Sequence, residues 1–286
     1  QLIASGNEQD SIWFSAHCSE KGWEGLEFID SGDDDTLAFC VVSNGKSLNH
    51  NGGAIHLEST NLNIKYSTFL HNLAETGGAL YAKESSPILS YSTFKNNRAQ
   101  LGGALYLFKS NPQIENCIFE SNNAARGGAI YNRDSFFLLT KSEFVHNNAE
   151  LDGGVIFGTG SNVTIENCIF RSNSAQESGS LLSCRGSRLL LKNNTFAKFS
   201  VPAFSDFISL LGTSYVEIKN SILWQDLSDV QIYNPPTEKS SLQFLNPVTD
   251  TLKFQYNDID SVLVKRILAD ISPFALKWGH YNISAD

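Results

Sequence analysis

The segment Gly102-Gly-Ala-Leu-Tyr-Leu-Phe-Lys-Ser-Asn-Pro-Gln-Ile-Glu-Asn-Cys-Ile-Phe-Glu-Ser-Asn122 is one copy of a repeat that organises the chain. It opens on a Gly-Gly pair, followed by a small residue and Ile or Leu, and it closes on Phe-x-x-Asn. Five copies occur between Gly52 and Ser178, with a period of 25 residues for three steps and 26 for the fourth. A short, strict period is typical of a solenoid, in which each unit buries its apolar face against its neighbours.

The residues between these markers predict short β-strands. Apolar and polar residues alternate in runs such as 104–107 and 113–116, and no helical period of 3.6 residues is present. Such runs, joined by Gly, Asn and Ser turns with one coil per period, predict an all-β fold, a right-handed single-stranded parallel β-helix of about nine to ten coils. We assign residues 1–261 to this helix, with regular repeats over 52–178, and residues 262–286 to a terminal cap or tail.

Equivalent residues of such a helix stack about 4.8 Å apart, the spacing of neighbouring strands. We therefore expect the repeated phenylalanines to form one buried stack and the repeated asparagines to form a hydrogen-bonded ladder at one turn. The phenylalanines are Phe69, Phe94, Phe119, Phe144 and Phe170. The asparagines are Asn72, Asn97, Asn122, Asn147 and Asn173. The glycine pairs fit a corner that needs positive φ or a close approach of backbones.

The cassette resembles the repeat of a known family. Gly-Gly-Ala-Ile or Gly-Gly-Ala-Leu, paired with Phe-x-x-Asn, is similar to the repeat of the chlamydial polymorphic outer membrane proteins and related bacterial surface β-helices, over roughly residues 40–200. Two further segments, Trp23-Glu-Gly-Leu-Glu-Phe28 and Asn220-Ser-Ile-Leu-Trp224, resemble parts of secreted bacterial β-helices related to pectate lyases. These resemblances imply a secreted or bacterial cell-surface protein, and repeats of this type occur in adhesins.

The composition argues against some classes of partner. A net charge of −9 and a pI near 5.2 disfavour nucleic acid and anionic lipid. No apolar run reaches transmembrane length, so we expect no membrane insertion by this segment. The 286 residues contain no methionine, which predicts a processed or excised product with further domains in the parent chain.

The five cysteines do not follow a disulfide framework. Cys117 and Cys168 occupy the same repeat position two coils apart, about 10 Å by strand spacing, which is too far for a disulfide bond. We interpret them as small buried thiols. Whether Cys18 pairs with Cys40 is left open by the sequence.

The outward position after the inward Ile or Leu carries an aromatic column: His56, Tyr81, Tyr106, Tyr131 and Phe157. Two residues further, the same face carries Glu58, Lys83, Phe108, Arg133, Thr159 and Arg185, three of which are cations. Rings beside cations on an extended face favour a glycan chain or another host or cell-surface ligand, and the candidate contact residues are Tyr81, Lys83, Tyr106, Tyr131 and Arg133. The alternative is that the stacked rings stabilise the sheet or are covered by a loop.

The sequence therefore favours an adhesive or ligand-binding stalk over an enzyme. The alternative function is a polysaccharide lyase or glycoside hydrolase. An inverting glycosidase needs two carboxyls about 6.5–9.5 Å apart. Glu115 and Glu166 lie about 10 Å apart by strand spacing, but Lys65 and Lys192 share their column, so an alternating surface explains them equally well. We assign no catalytic residue on this pattern.

The acidic segment at Asp33, Asp34 and Asp35 could ligate Ca²⁺ through hard oxygen atoms. The alternating ligand pattern of a calcium loop is absent, however, and a solvated turn explains the three aspartates as well. The sequence suggests no other metal or cofactor.

Overall fold

The computed structural model describes residues 1–249 apart from 18–20, 33–34, 198–207, 213, 220, 225–231, 234–240 and 246–247. The predicted boundary at residue 261 and the predicted cap or tail over 262–286 therefore lie outside the described residues. Within the described part, the chain winds as a parallel β-helix, because each strand pairs in parallel with the equivalent strands of the turns before and after it.

A complete turn contains four strands, one in each of four sheets that we number in chain order from the Gly-Gly pair. In the central repeat these are Leu105–Phe108 in sheet 1, Gln113–Glu115 in sheet 2, Ile118–Glu120 in sheet 3 and Asn123–Arg126 in sheet 4. The sequence analysis recognised the alternating segments of sheets 1 and 2. It did not separate sheets 3 and 4, whose strands in the central repeat each bury a single side chain, that of Phe119 and that of Ala124.

Over the residues that the structure describes, sheets 1 to 4 contain 9, 10, 10 and 6 strands, respectively. Sheet 1 consists of Leu26–Ile29, Ile55–Glu58, Leu80–Lys83, Leu105–Phe108, Ile130–Arg133, Ile156–Thr159, Leu182–Arg185, Ile208–Leu211 and Ile232–Tyr233. Sheet 2 consists of Ile3–Ser5, Asp35–Ala38, Leu62–Lys65, Ile88–Ser90, Gln113–Glu115, Phe136–Thr140, Asn162–Glu166, Arg188–Lys192, Tyr215–Lys219 and Ser241–Leu245. Sheet 3 consists of Ile12–Ser15, Cys40–Ser43, Thr68–Leu70, Thr93–Lys95, Ile118–Glu120, Glu143–Val145, Ile169–Arg171, Thr195–Ala197, Ile222–Trp224 and Val248–Thr249. Sheet 4 consists of Lys46–Asn51, Leu73–Thr76, Arg98–Leu101, Asn123–Arg126, Asn148–Asp152 and Ser174–Ala175.

The number of complete turns is smaller than the predicted number of coils. Six turns have a described strand in every sheet, because sheet 4 contains six strands. The turns after Ala175 have three described strands each, and the first turn has two. The prediction of nine to ten coils is met only when these shorter turns at both ends are included.

A stack of phenylalanines fills the interior beneath sheet 3. The rings of Phe69, Phe94, Phe119, Phe144 and Phe170 lie parallel, and Phe196 extends the stack by one more turn. Successive ring centroids are 4.7–5.2 Å apart. All six side chains are 0–1% exposed. The in-register pairing of sheet 3 places them there, because equivalent residues of parallel strands face the same way.

Three of the four corners are built in the same way. In the central turn Lys109, Asn116 and Ser121 have φ of 49°, 53° and 55°, a left-handed conformation that non-glycine residues rarely adopt. Each is followed by an inward residue whose side chain accepts a hydrogen bond from the backbone N–H of the equivalent residue one turn earlier. Ser110 Oγ accepts from Ser85 N–H at 3.2 Å, and Asn122 Oδ1 accepts from Asn97 N–H at 3.0 Å. These bonds satisfy backbone groups that the corner buries.

The fourth corner, between sheets 4 and 1, is formed by the Gly-Gly pair. Each of its two positions requires glycine for a different reason. Gly102 has φ of +67°, in the left-handed region. Gly103 has no space for a side chain, because a Cβ there would lie 2.2 Å from the carbonyl oxygen of Gly128 in the next turn. The described strands of sheet 4 end at Ser174–Ala175, just before the pair becomes Gly179-Ser180.

Candidate functional site

The predicted aromatic column lies on the outer face of sheet 1, beside the Gly-Gly corner. His56, Tyr81, Tyr106, Tyr131 and Phe157 are in register on successive strands. The rings from Tyr81 to Phe157 are stacked, with centroids 5.1–5.3 Å apart and interplanar angles of 4–14°. His56 is tilted by 56° against Tyr81.

This stacking limits how the column can meet a ligand. Each ring face is covered by the ring of the next turn at ordinary aromatic contact distance, so a sugar ring cannot stack on it. Tyr81 is 9% exposed and Phe157 4%, whereas Tyr106 and Tyr131 are partly exposed. Rings that stack on one another were the alternative that the sequence left open for this column. The column supports the sheet through cross-strand contacts, and it offers a ligand only ring edges and phenol hydroxyls.

The second outward column of sheet 1 carries charge. Lys83 forms an ion pair with Glu58 of the preceding turn, so its charge is neutralised locally. Arg133 is more open, with 56% of its side chain exposed. Its Cζ lies 5.2 Å from the centroid of the Phe108 ring, and its Nε lies 3.5 Å from Asp134 Oδ2. Arg185 is exposed and lies two strands further along the same column, beyond Thr159.

A third arginine reaches the column from the other side of the corner. Arg126 ends a strand of sheet 4, and its Cζ lies 6.0 Å from the centroid of the Phe157 ring. Its Nε bonds Asp152 at 3.1 Å. Burial raises the pKa of the Tyr131 phenol, and the charges of Arg126, Arg133 and Arg185 act in the opposite direction. These three residues, which we name the arginine cluster, belong to three different strands, and their charges all act on the Tyr131 phenol.

The fold and this repeat geometry agree with one comparison with known proteins. The family model described as "Right handed beta helix region" matches residues 15–159. The chain belongs to the right-handed β-helix family. No curated protein and no solved structure gives a significant match to the chain. The family match establishes the β-helix and its right-handedness. This handedness agrees with the right-handed crossover rule for parallel strands. The match does not distinguish the chlamydial type of repeat from other right-handed β-helices.

The carboxylates considered for a glycosidase mechanism are engaged in ion pairs on this right-handed β-helix. Glu115 Oε1 lies 2.8 Å from Lys141 Nζ, and Glu166 Oε1 lies 2.8 Å from Lys192 Nζ. Each pair joins neighbouring turns on the exposed face or edge of sheet 2. This arrangement corresponds to the alternating surface that the sequence suggested as the simpler explanation.

The predicted calcium site can be described only in part, because Asp33 and Asp34 lie outside the described residues. Asp35 is 2% exposed, and its two carboxylate oxygens accept hydrogen bonds from Leu2 N–H and Ser31 Oγ. It is therefore already used to join the first two turns of the β-helix. Among the residues that the structure describes, no three His, Cys, Asp or Glu side chains are grouped as metal ligands.

The buried thiols lie where the repeat position placed them. Cys117 and Cys168 are each 1% exposed and free, and Ser142 lies between them in the column. Cys40 is also a free buried thiol, whereas Cys18 lies outside the described residues. Within the described part of the chain, no helix is long and apolar enough to cross a membrane.

A second aromatic column escaped the sequence analysis. Phe39, Tyr66 and Tyr91 occupy the left-handed position between sheets 2 and 3, with φ of 50–51°. Their rings stack at 4.8 and 5.0 Å, and Tyr66 and Tyr91 are 48% and 53% exposed. The signal was present in the sequence, since each of the three directly precedes the small residue of the inner ladder. This column is more exposed than the predicted one.

Proposed function

We propose that this right-handed β-helix is a secreted or bacterial cell-surface stalk that binds an acidic glycan of a host or cell surface. The contact lies on the outer face of sheet 1, at Tyr106, Tyr131 and the arginine cluster. Arg126 lies at the Gly-Gly corner of this face, and Arg133 and Arg185 lie at its opposite side, before the corner with sheet 2. In this proposal the chain binds its ligand and does not cleave it. Repeats of the chlamydial polymorphic outer membrane protein type, supported by the five Gly-Gly and Phe-x-x-Asn cassettes, agree with such a role.

The arginine cluster is the observation that carries this proposal. Arg133 and Arg185 lie on the two strands on either side of the Thr159 strand. Their Cα atoms are therefore about 10 Å apart along the helix axis. Guanidinium groups bind carboxylate and sulfate in a bidentate manner. Arg126 and Arg133 each have a carboxylate neighbour, whereas Arg185 has no ion-pair partner among the described residues. A local excess of positive charge therefore remains on an acidic protein.

The repeat spacing favours an extended ligand. Outward residues recur about every 4.8 Å along the axis, which is similar to the length of one pyranose unit. A glycan that runs along this face would meet the phenols of Tyr106 and Tyr131 in two successive turns and the guanidinium groups of Arg133 and Arg185 two turns apart. Tyr81 and Lys83 contribute less in this arrangement, because Tyr81 is 9% exposed and Lys83 is paired with Glu58.

The experiment is a glycan array with purified protein, covering neutral, carboxylated and sulfated glycans, run beside a polysaccharide degradation screen. Arg133→Ala and Arg185→Ala should each abolish or strongly reduce the acidic hits. The matched control is Lys141→Ala, because Lys141 is 58% exposed and paired with a carboxylate on a different corner. Product formation in the degradation screen would favour the lyase or hydrolase alternative. Acidic hits that survive both arginine substitutions would place the ligand elsewhere.

A further inference from the structure

The outer face of sheet 2 differs from the other faces of the β-helix in its charge. In five successive turns, from residues 61–65 to residues 162–166, its first two outward positions carry no charged side chain. We name these ten residues the uncharged face: Asn61, Asn63, Ser86, Ile88, Asn111, Gln113, Phe136, Leu138, Asn162 and Thr164. Over the same turns the outward residues of the other sheets include Lys83, Glu120 and Arg126.

The uncharged face also exposes large apolar side chains. Ile88, Phe136 and Leu138 are 45%, 54% and 46% exposed. Phe136 and Leu138 point outward from one strand, and Ile88 lies two turns before Leu138 in the same column. Depletion of charge together with exposed aromatic and aliphatic groups is typical of the centre of a protein–protein interface.

Charged residues lie at the margins of the uncharged face. The third outward position of the same strands carries Glu115 and Glu166, which pair with Lys141 and Lys192 at 2.8 Å. On the opposite side, Asp134 is exposed at the corner between sheets 1 and 2. An apolar, uncharged centre inside a charged rim is the usual anatomy of a protein–protein contact.

The shape of the uncharged face favours another β-sheet as its partner. Its strands pair in parallel and in register, so its outward side chains form straight columns along the β-helix axis. Sheets with such regular faces pack against each other about 10 Å apart, with their strand directions nearly aligned. A second copy of the chain carries the same regular surface, and most oligomers are built from identical chains with closed symmetry.

We propose that the uncharged face is the contact between two copies of this chain in a dimer. The two-fold axis runs parallel to the β-helix axis, so each strand of sheet 2 lies against the same strand of the second copy in the opposite direction. The middle outward residue of a strand, such as Leu138, then meets its own equivalent. The proposal is independent of the glycan proposed for sheet 1.

This two-fold axis also makes the polar residues of the strands complementary. Reversing a strand places its first outward residue opposite its third. Asn111 then lies opposite Glu115, and Asn162 lies opposite Glu166, so an amide donor meets a carboxylate acceptor in both turns. The dimer therefore joins donors to acceptors at its rim and apolar side chains at its centre.

The size of this contact predicts a reversible dimer. In the following turn the same axis places Arg188 opposite Lys192, so like charges end the contact after five turns. Five strands about 4.8 Å apart and about 17 Å long cover roughly 400 Å² of projected area on each copy. A standard stable interface buries about 800 Å² of accessible surface per partner, so this dimer belongs to the weaker class. We expect the monomer and the dimer to exchange, with the dimer populated at high protein concentration.

Analytical ultracentrifugation of the purified chain over a range of concentrations tests the proposal. Leu138→Lys places like charges against each other at the centre of the contact and should weaken dimerisation about tenfold or more. The matched control is Ile169→Lys, because Ile169 is also 46% exposed but lies on the outer face of sheet 3. It should leave dimerisation unchanged. Melting temperatures of both variants, measured at concentrations where the protein is monomeric, should agree and show that neither variant is unfolded.

Cysteines at the same two positions test the direction of the two-fold axis. A short bismaleimide should link Leu138→Cys into a covalent dimer above the background of the unchanged protein, because this residue lies beside its own equivalent. Ile169→Cys should give only that background. A monomer at every concentration, a dimer that Leu138→Lys leaves intact, or the absence of a Leu138→Cys cross-link would each overturn the proposal.

Discussion

Asn122 Oδ1 accepts two hydrogen bonds from Asn97, one from its backbone N–H and one from its side-chain Nδ2, each at 3.0 Å. The Nδ2 group of Asn122 in turn donates to the carbonyl of Phe94 at 2.9 Å. One side chain therefore joins consecutive turns at a corner where the backbone is buried. This relationship recurs from Asn72 to Asn173, and it links each turn to the next at the corner between sheets 3 and 4.

Replacing Asn122 by alanine should lower the free energy of unfolding by about 2–4 kcal/mol. The substitution removes the acceptor of the Asn97 backbone N–H and one of the two acceptors of Asn97 Nδ2, and it removes the side-chain donor to the Phe94 carbonyl. Urea denaturation measures the change. Gln113→Ala is the control, because Gln113 is exposed on sheet 2, and its effect should stay within about 0.5 kcal/mol. Equal effects of the two variants would contradict the role of the ladder.

Phe119→Ala should cost about 3–5 kcal/mol in the same measurement. Phe119 lies between Phe94 and Phe144 in the stack and is 0% exposed, so its loss leaves a cavity that turns on both sides cannot close independently. The adjacent Ile118 is 40% exposed, and Ile118→Ala is the matched control. A cost for Phe119→Ala below that of Ile118→Ala would show that the stack is not the core.

The thiols of Cys117, Cys168 and Cys184 should not react with an aromatic disulfide reagent in the native protein. Burial raises their pKa values to about 12, about 11 and about 12, so almost no thiolate forms at pH 8. All three should be labelled after denaturation in guanidinium. Stoichiometric labelling of Cys117 and Cys168 in the native state would be incompatible with the interior column.

The β-helix should lose the stabilisation that ionised Asp35 provides when the pH becomes acidic. Burial acts to raise the pKa of this carboxyl, but hydrogen bonds from Leu2 N–H and Ser31 Oγ bring the pKa below its ordinary value. A carboxyl with a lowered pKa stabilises the fold above its unfolded pKa, near 3.9, and loses that contribution as the pH falls through the folded value.

Melting temperatures measured between pH 2 and pH 7 test this contribution. Asp35→Asn should lower the melting temperature at neutral pH, and the difference from the unchanged protein should shrink below pH 4. Glu150→Gln is the control, because Glu150 is 48% exposed and forms only a surface pair with Arg98. A constant difference across the whole pH range would rule out titration of Asp35 as the cause.

Tyr106→Ala should lower the free energy of unfolding by about 1–3 kcal/mol, because its ring lies between Tyr81 and Tyr131 in the stack. Tyr106→Phe retains the ring and removes only the hydroxyl, so its melting temperature should be nearly unchanged. Affinity for a ligand found on the array should fall in both variants if the phenol edge is the contact. An unchanged affinity in Tyr106→Phe would exclude that hydroxyl from the site.

The sequence by itself determined which side chains stack on one another along the axis of this β-helix. A period of 25 or 26 residues in a parallel β-helix brings equivalent residues into register, so the phase of Phe119 and Asn122 is sufficient to predict a stack and a ladder. The same reasoning applies to Gly103, where the next turn approaches too closely for a side chain. Neighbour relations along the axis follow from the period alone.

Only the tertiary structure decided how the columns lie relative to one another. The 9% exposure of Tyr81 is one example, because the period does not specify what lies beside a column within a turn. The approach of Arg126 to Phe157 is another, because it joins two sheets and two turns across the Gly-Gly corner. The unsatisfied amide of Asn132 is equally invisible in the sequence, because hydrogen-bond satisfaction depends on which polar groups the folded turns bring within reach of it. The period determines which residues of successive turns contact each other along the axis. The packing of the sheets across the axis determines the contacts between different columns and the exposure of each side chain.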